Sequence, residues 1–160
     1  MNKELQDKLY AKYPALFAQK DLSPRETLMC WGIDTGDGWY NIMDALCSSI
    51  TYYLKYKKKP EADENADSEF SVEFVQVKEK FGALRIYTNF GDEAIDSMIS
   101  LAARLSQLTC DTCGSPGKNI LIRGWYQTLC EPCRANFCTK QGYTEYLEGN
   151  TGEEDSEEDE

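Results

Sequence analysis

Four cysteines constrain this chain more than any other feature: Cys110-Asp-Thr-Cys113, then Cys130-Glu-Pro-Cys133. The pattern reads C-x2-C-x16-C-x2-C, inside the spacing of four-cysteine zinc sites. A two-residue gap lets both sulfurs of a pair reach one ion from a single tight turn, and tetrahedral Zn²⁺ accepts four thiolates. Gly114 follows the first pair, where a knuckle needs positive φ. Pro132 sits inside the second pair, where it suits the first turn of a helix. Four thiolates fill the coordination shell and leave no place for water, so the expected cofactor is one structural Zn²⁺. The seven cysteines leave Cys30, Cys47 and Cys138 over. An odd remainder, with no secretory pattern at the start, points to a reducing, cytoplasmic setting. No apolar run is long enough to span a bilayer.

The net charge of −11 is unevenly placed. Residues 145–160 hold nine acids and no base, which leaves 19 acids against 17 bases, or −2, in residues 1–144. The body is close to neutral, and this argues against a whole-surface mimic of DNA. The tail, 148–160, has almost nothing apolar to bury and repels itself, so it is expected to be disordered. Histidine is absent. Ser-His and Cys-His nucleophilic pairs are therefore excluded, as is a Cys2His2 finger.

The periodicity predicts an α+β fold: helices packed on a small antiparallel hairpin sheet, in one domain over 1–147, with the zinc module embedded at about 108–140. Leu5, Leu9, Tyr13, Leu16 and Phe17 mark a first helical face, which Pro14 interrupts. Trp39, Ile42, Met43, Leu46, Cys47, Ile50, Tyr53 and Leu54 mark the strongest helix, over 38–56, with Asp37 as its expected cap. It ends in Lys55, Lys57, Lys58, Lys59 and Pro60. Around Phe70–Val77 the alternation changes parity, the signature of a bulge or of a strand buried on both faces. Lys78–Gly82 reads as the turn to a second strand, Leu84–Thr88. Asp92 caps a further helix whose expected buried stripe is Ile95, Met98, Ile99, Ala102 and Leu105. Between the cysteine pairs, Ile120–Ile122 and Trp125–Thr128 suggest a hairpin turning near Gly124, and Arg134–Cys138 reads as helix. Knuckle, hairpin, then ligands at a helix start is a treble-clef-like order; a zinc ribbon is the alternative.

Two surfaces could carry function. Arg123, Trp125 and Tyr126 (with Lys118 and Arg134) could offset the charge of the metal site, or hold nucleic acid or a nucleotide. Trp31, Trp39, Lys78, Lys80 and Arg85 lie in loops or near a turn, where cations beside aromatics suit an anionic ligand or an acidic partner. Asp34 and Asp37 could be imagined as a Mg²⁺ loop, but a turn and a helix cap account for them.

Gly36-Asp37-Gly38-Trp39, Val77-Lys-Glu-Lys-Phe-Gly-Ala-Leu-Arg85, Cys110-Asp-Thr-Cys-Gly-Ser-Pro-Gly117 and Trp125-x4-Cys130-x2-Cys133 occur in this order. Together they resemble a pattern in uncharacterised bacterial and bacteriophage zinc-binding proteins, whose second pair often ends in C-x2-H. The resemblance spans residues from about 30 to 135 and carries no transferable activity. It implies a small cytoplasmic accessory protein, encoded by a phage or mobile element. The favoured expectation is a non-enzymatic, zinc-stabilised binding protein whose partner is a host protein, such as a defence or nucleic-acid enzyme that it inhibits. Nucleic-acid or nucleotide binding is one alternative. The other is a histidine-free enzyme using Asp34, Asp37, Asp44 or Glu79 on a phosphate-containing substrate.

Overall fold

A computed structural model describes residues 1–56, 71–141 and 147–148. The predicted Phe70, the lysines at 57–59 with Pro60, and the acidic tail beyond Glu148 lie outside the described residues. Helix α1 spans Lys3–Lys12 and is capped by Asn2, whose side chain accepts from the Leu5 N–H. It stops where Pro14 forbids a helical Tyr13, and Tyr13 takes φ −130°. Turns and a short 3-10 segment, Ala18–Asp21, follow, and Leu16 and Phe17 are carried into the core.

A two-residue strand β1 (Ile33–Asp34) runs parallel to β2 (Phe74–Lys80), and β2 pairs antiparallel with β3 (Ala83–Thr88). The register shifts between Phe74 and Gln76, so the parity change in the sequence is a bulge. Helices α2 (Tyr40–Tyr56) and α3 (Glu93–Ser106) pack on one another, and α3 packs on β3. Phe17, Met29, Ile33, Trp39, Met43, Ile50, Phe74, Val77, Leu84 and Ile95 are buried at the centre of this unit. Asp92 caps α3 as expected, accepting from the Ile95 N–H.

Four expectations need correction. The sheet is not purely antiparallel, because β1 joins it parallel to β2. The turn expected over Lys78–Gly82 is Phe81–Gly82 alone, because β2 pairs with β3 through Lys80. Leu105 is 45% exposed, and Ser106 takes the buried place, with its hydroxyl donating to Ala103 and accepting the Leu84 N–H. Asp37 does not cap α2: a 3-10 turn, Asp37–Trp39, leads into that helix. Its carboxylate instead receives the backbone N–H and side-chain amide of Asn2 at 2.6 and 2.7 Å.

The second unit is a sheet of β5 (Trp125–Leu129), β4 (Lys118–Ile122) and β6 (Leu147–Glu148), with β4 in the middle, plus helix α4 (Glu131–Gln141). Glu148 pairs with Ile120, so the ordered ladder reaches one residue into the stretch assigned to the tail. The buried cluster here is Cys110, Ile120, Ile122, Leu129 and Cys130, with Phe137 and Cys138 against it. A core this small does not fold unaided.

Candidate metal centre

Cys110 and Cys113 sit on a turn in which the Gly114 N–H returns to the Cys110 carbonyl at 2.9 Å. Gly114 has φ +78°, the conformation the sequence assigned to it. Cys130 lies just before α4, accepting the Arg134 N–H on its carbonyl, and Cys133 lies in the first turn. The four sulfurs lie within 4.8 Å of one another. Cys113 and Cys130 are 3.6 Å apart. Sulfurs tetrahedral about one ion at 2.3 Å stand about 3.8 Å apart, whereas a disulfide needs about 2.05 Å. The cluster therefore has the dimensions of a metal site and not of a crosslink.

Ser115 donates from its hydroxyl and backbone N–H to Cys113, with help from Cys130 and Cys133, and brings that thiol down to about 6. Burial, and then the neighbouring sulfurs, push Cys133 up. A thiolate already favoured at one corner is a starting point for an ion to displace the other protons. Cys47 is buried in the main core and raised by burial, as a packing cysteine should be. Cys138 packs beside the cluster without joining it. Arg134 pairs with Glu131 at the start of α4.

The motif Gly36-Asp37-Gly38-Trp39 lies directly on this knuckle. Gly36 N–H donates to Asp111 Oδ1, Gly38 N–H to the Asp111 carbonyl, and Trp39 Nε1–H to the Thr109 carbonyl, at 2.8, 2.8 and 2.7 Å. A Cβ on Gly36 would stand 2.1 Å from the Asp111 carbonyl oxygen. Trp39 is fully buried, which removes it from the candidate surface: its indole ties the main core to the knuckle.

A second seam lies at the β2–β3 turn. Phe81 and Gly82 are both at positive φ, +55° and +74°, giving a two-residue turn matched to strand twist. The Asn119 amide donates to the Phe81 carbonyl and the buried Thr128 hydroxyl to that of Gly82, at 2.9 and 2.6 Å. The β4–β5 turn has the same form, with Arg123 at +50° and Gly124 at +86°. Between the seams lies a cavity of about 180 Å³ lined by Asp34, Thr35, Gly36, Glu79, Asp111, Gln127 and Thr128. Burial raises both Glu79 and Asp111.

The chain matches no family model, curated protein or solved structure. Its surface therefore has to be read from its own chemistry. Cross-strand register sets Lys78 opposite Arg85 and Gln76 opposite Tyr87 on the sheet face away from Val77, Leu84 and Ile86. Lys78 Nζ lies 5.6 Å from the Tyr87 ring centre and Lys80 Nζ 5.2 Å from that of Phe81. Phe81 meets Tyr126 edge-on at 6.2 Å. Tyr87, Lys78, Arg85, Lys80, Phe81 and Tyr126 thus form one ribbon of cations and aromatics, with Asp34 beside Lys78 as its acid.

The other candidates fall elsewhere. Trp125 projects from the opposite side of β5 at the hairpin tip, 78% exposed beside Arg123. Trp31, 72% exposed, lines a separate hollow of about 410 Å³ with residues of α1. Phe81 and Tyr87 were not among the candidates, although alternation alone puts Tyr87 on the face of Arg85. Of the carboxylates of the enzyme alternative, Asp34 and Glu79 meet in the cavity between the seams, beside Asp111, whereas Asp44 pairs with Lys12 and Tyr13 and Asp37 with Asn2.

Proposed function

We propose that the chain is a non-enzymatic, zinc-stabilised binding protein that uses the cation–aromatic ribbon to engage an acidic surface on a partner protein. Zn²⁺ is the ion that best fits four thiolates at these separations. The order of knuckle, hairpin and α4 supports a treble-clef module over a zinc ribbon, in which no helix would follow the second pair. The metal secures the module, the module receives the β2–β3 turn, and the turn presents Phe81 and Lys80.

The observation that carries this reading is Phe81. A bulky side chain held at positive φ costs the fold roughly 1 kcal/mol, and here it is spent on a ring left 62% exposed. Backbone strain of this kind clusters at functional sites. In the setting implied by the resemblance, the protein is a cytoplasmic accessory factor of a phage or mobile element and its partner belongs to the host.

Nucleic acid is the second reading, favoured by the same alternation of stacking rings and cations. The test is capture from host lysate by the intact protein, compared with a Lys80→Ala/Arg85→Ala variant of unchanged zinc content. Loss of one acidic protein from the captured set, with no binding of a labelled single-stranded oligonucleotide, supports the first reading. Binding of the oligonucleotide that weakens steeply with salt supports the second. A captured set identical for both proteins contradicts the ribbon as the site.

A further inference from the structure

Helix α3 carries a second surface, independent of the ribbon. Ile95, Ala102 and Ser106 face the core, which turns Glu93, Asp96, Ser97, Ser100, Leu101 and Arg104 outward along a shallow, open hollow of about 710 Å³. Leu101, Leu105 and Leu108 are 61%, 45% and 66% exposed, one after another down the flank of this face. A single exposed leucine is ordinary, but a run on successive turns marks a contact surface. The charges are sorted as well, with Glu93 and Asp96 at the N-terminal end and Arg104 toward the other. Arg104 forms no ion pair among the described residues. Eight residues of helix put it about 12 Å along the axis from Asp96, too far to pair within its own helix.

We infer that this face binds a second copy of the chain, with the two α3 helices antiparallel about a two-fold axis near Ser100. A two-fold contact needs a surface that complements itself, and the charge order supplies it. The axis sets each Arg104 beside the other copy's Asp96 and Glu93. Small Ser97 and Ser100 lie where the helices cross and let them approach. The leucines of each copy then cover the N-terminal half of the other.

The test uses sedimentation velocity on the full, zinc-loaded chain over about 1–200 μM, where mass action reveals a dimer. The expected result is a concentration-dependent monomer–dimer equilibrium. Arg104→Glu alone, and Glu93→Lys/Asp96→Lys alone, should each weaken it by about tenfold or more through like-charge contacts. An equimolar mixture of the two variants should restore dimerisation, because every cross-contact then pairs opposite charges. Circular dichroism confirms that each variant is folded. If the acidic pair proves necessary to the start of α3, Asp96→Lys alone, at the position the axis sets opposite Arg104, replaces it in the same mixing experiment. A chain that stays monomeric throughout, a dimer indifferent to Arg104→Glu, or variants that mixing does not rescue would overturn the inference.

Discussion

Gly38 has no room for a side chain: a Cβ there would lie 2.1 Å from the Cys110 carbonyl oxygen and 2.4 Å from the Gly114 nitrogen. Both neighbours are backbone and belong to the metal knuckle, so neither can yield without moving a ligand. Gly38→Ala should cost about 2 kcal/mol or more and loosen metal binding, read by urea denaturation and by competition with a chromogenic chelator. The sequence alone could not show this, because GDG before a helix looks the same whether its glycines serve a turn or a close approach. Asp37 was misread for a related reason. A carboxylate ahead of a helix is ordinarily its cap, and only the fold brings Asn2 within reach of it. The Asn2 backbone N–H holds the Asp37 carboxyl below its usual range. Its stabilisation is therefore complete above the unfolded value, about 3.9, and is lost as pH falls through the lower folded value. Asp37 is largely exposed, so screening holds the effect below about 1 kcal/mol. Asp37→Ala should flatten that part of the acid unfolding profile while leaving the neutral-pH metal content unchanged.

Among the elements, the helices and both hairpins were legible because their signals are local: period, a cap at Asp92, a parity change at the bulge, and glycine at each turn. The docking of the β2–β3 turn onto β4–β5 was not legible, since it rests on Asn119 and Thr128, residues 38 and 46 positions away from their partners. Thr128→Val keeps the shape of a side chain only 1% exposed and removes the hydroxyl that satisfies Gly82. It should cost about 1–2 kcal/mol and speed amide exchange at Ala83 and Leu84, which hydrogen-exchange mass spectrometry would detect. Phe81 tests the opposite balance. Asn tolerates positive φ better than Phe, so Phe81→Asn should leave stability unchanged or raise it by several tenths of a kcal/mol. The same change should remove most binding at the ribbon. A stabilised variant with full binding would show that the ring only completes the edge contact with Tyr126.

At the scale of the whole molecule, the four-cysteine cluster was fully legible and the surface only half so. Cysteine spacing is a covalent, local constraint, and the four sulfurs meet as the spacing requires. Surface assignment depends on which loop lands where. Trp39 was sent into the core and Trp31 to another hollow, while Lys78, Lys80 and Arg85 did come to share a face. Two stretches of the pattern, GDGW and the KFG turn, prove to be the contacts that fasten the main core to the knuckle and its hairpin. We propose, as the central claim, that this arrangement makes the molecule one folding unit hung on the metal that the four cysteines would hold. It is tested most directly by removing the ion with a chelator while following zinc content, the fluorescence of buried Trp39 and far-UV circular dichroism together. Because Trp31 and Trp125 are exposed, a Trp31→Phe/Trp125→Phe background isolates the Trp39 signal. The account predicts one zinc per chain, whose release unfolds module and core in a single transition and whose return restores both. A chain that gives up its zinc while the Trp39 signal and thermal midpoint stay unchanged, or that holds none, would contradict it.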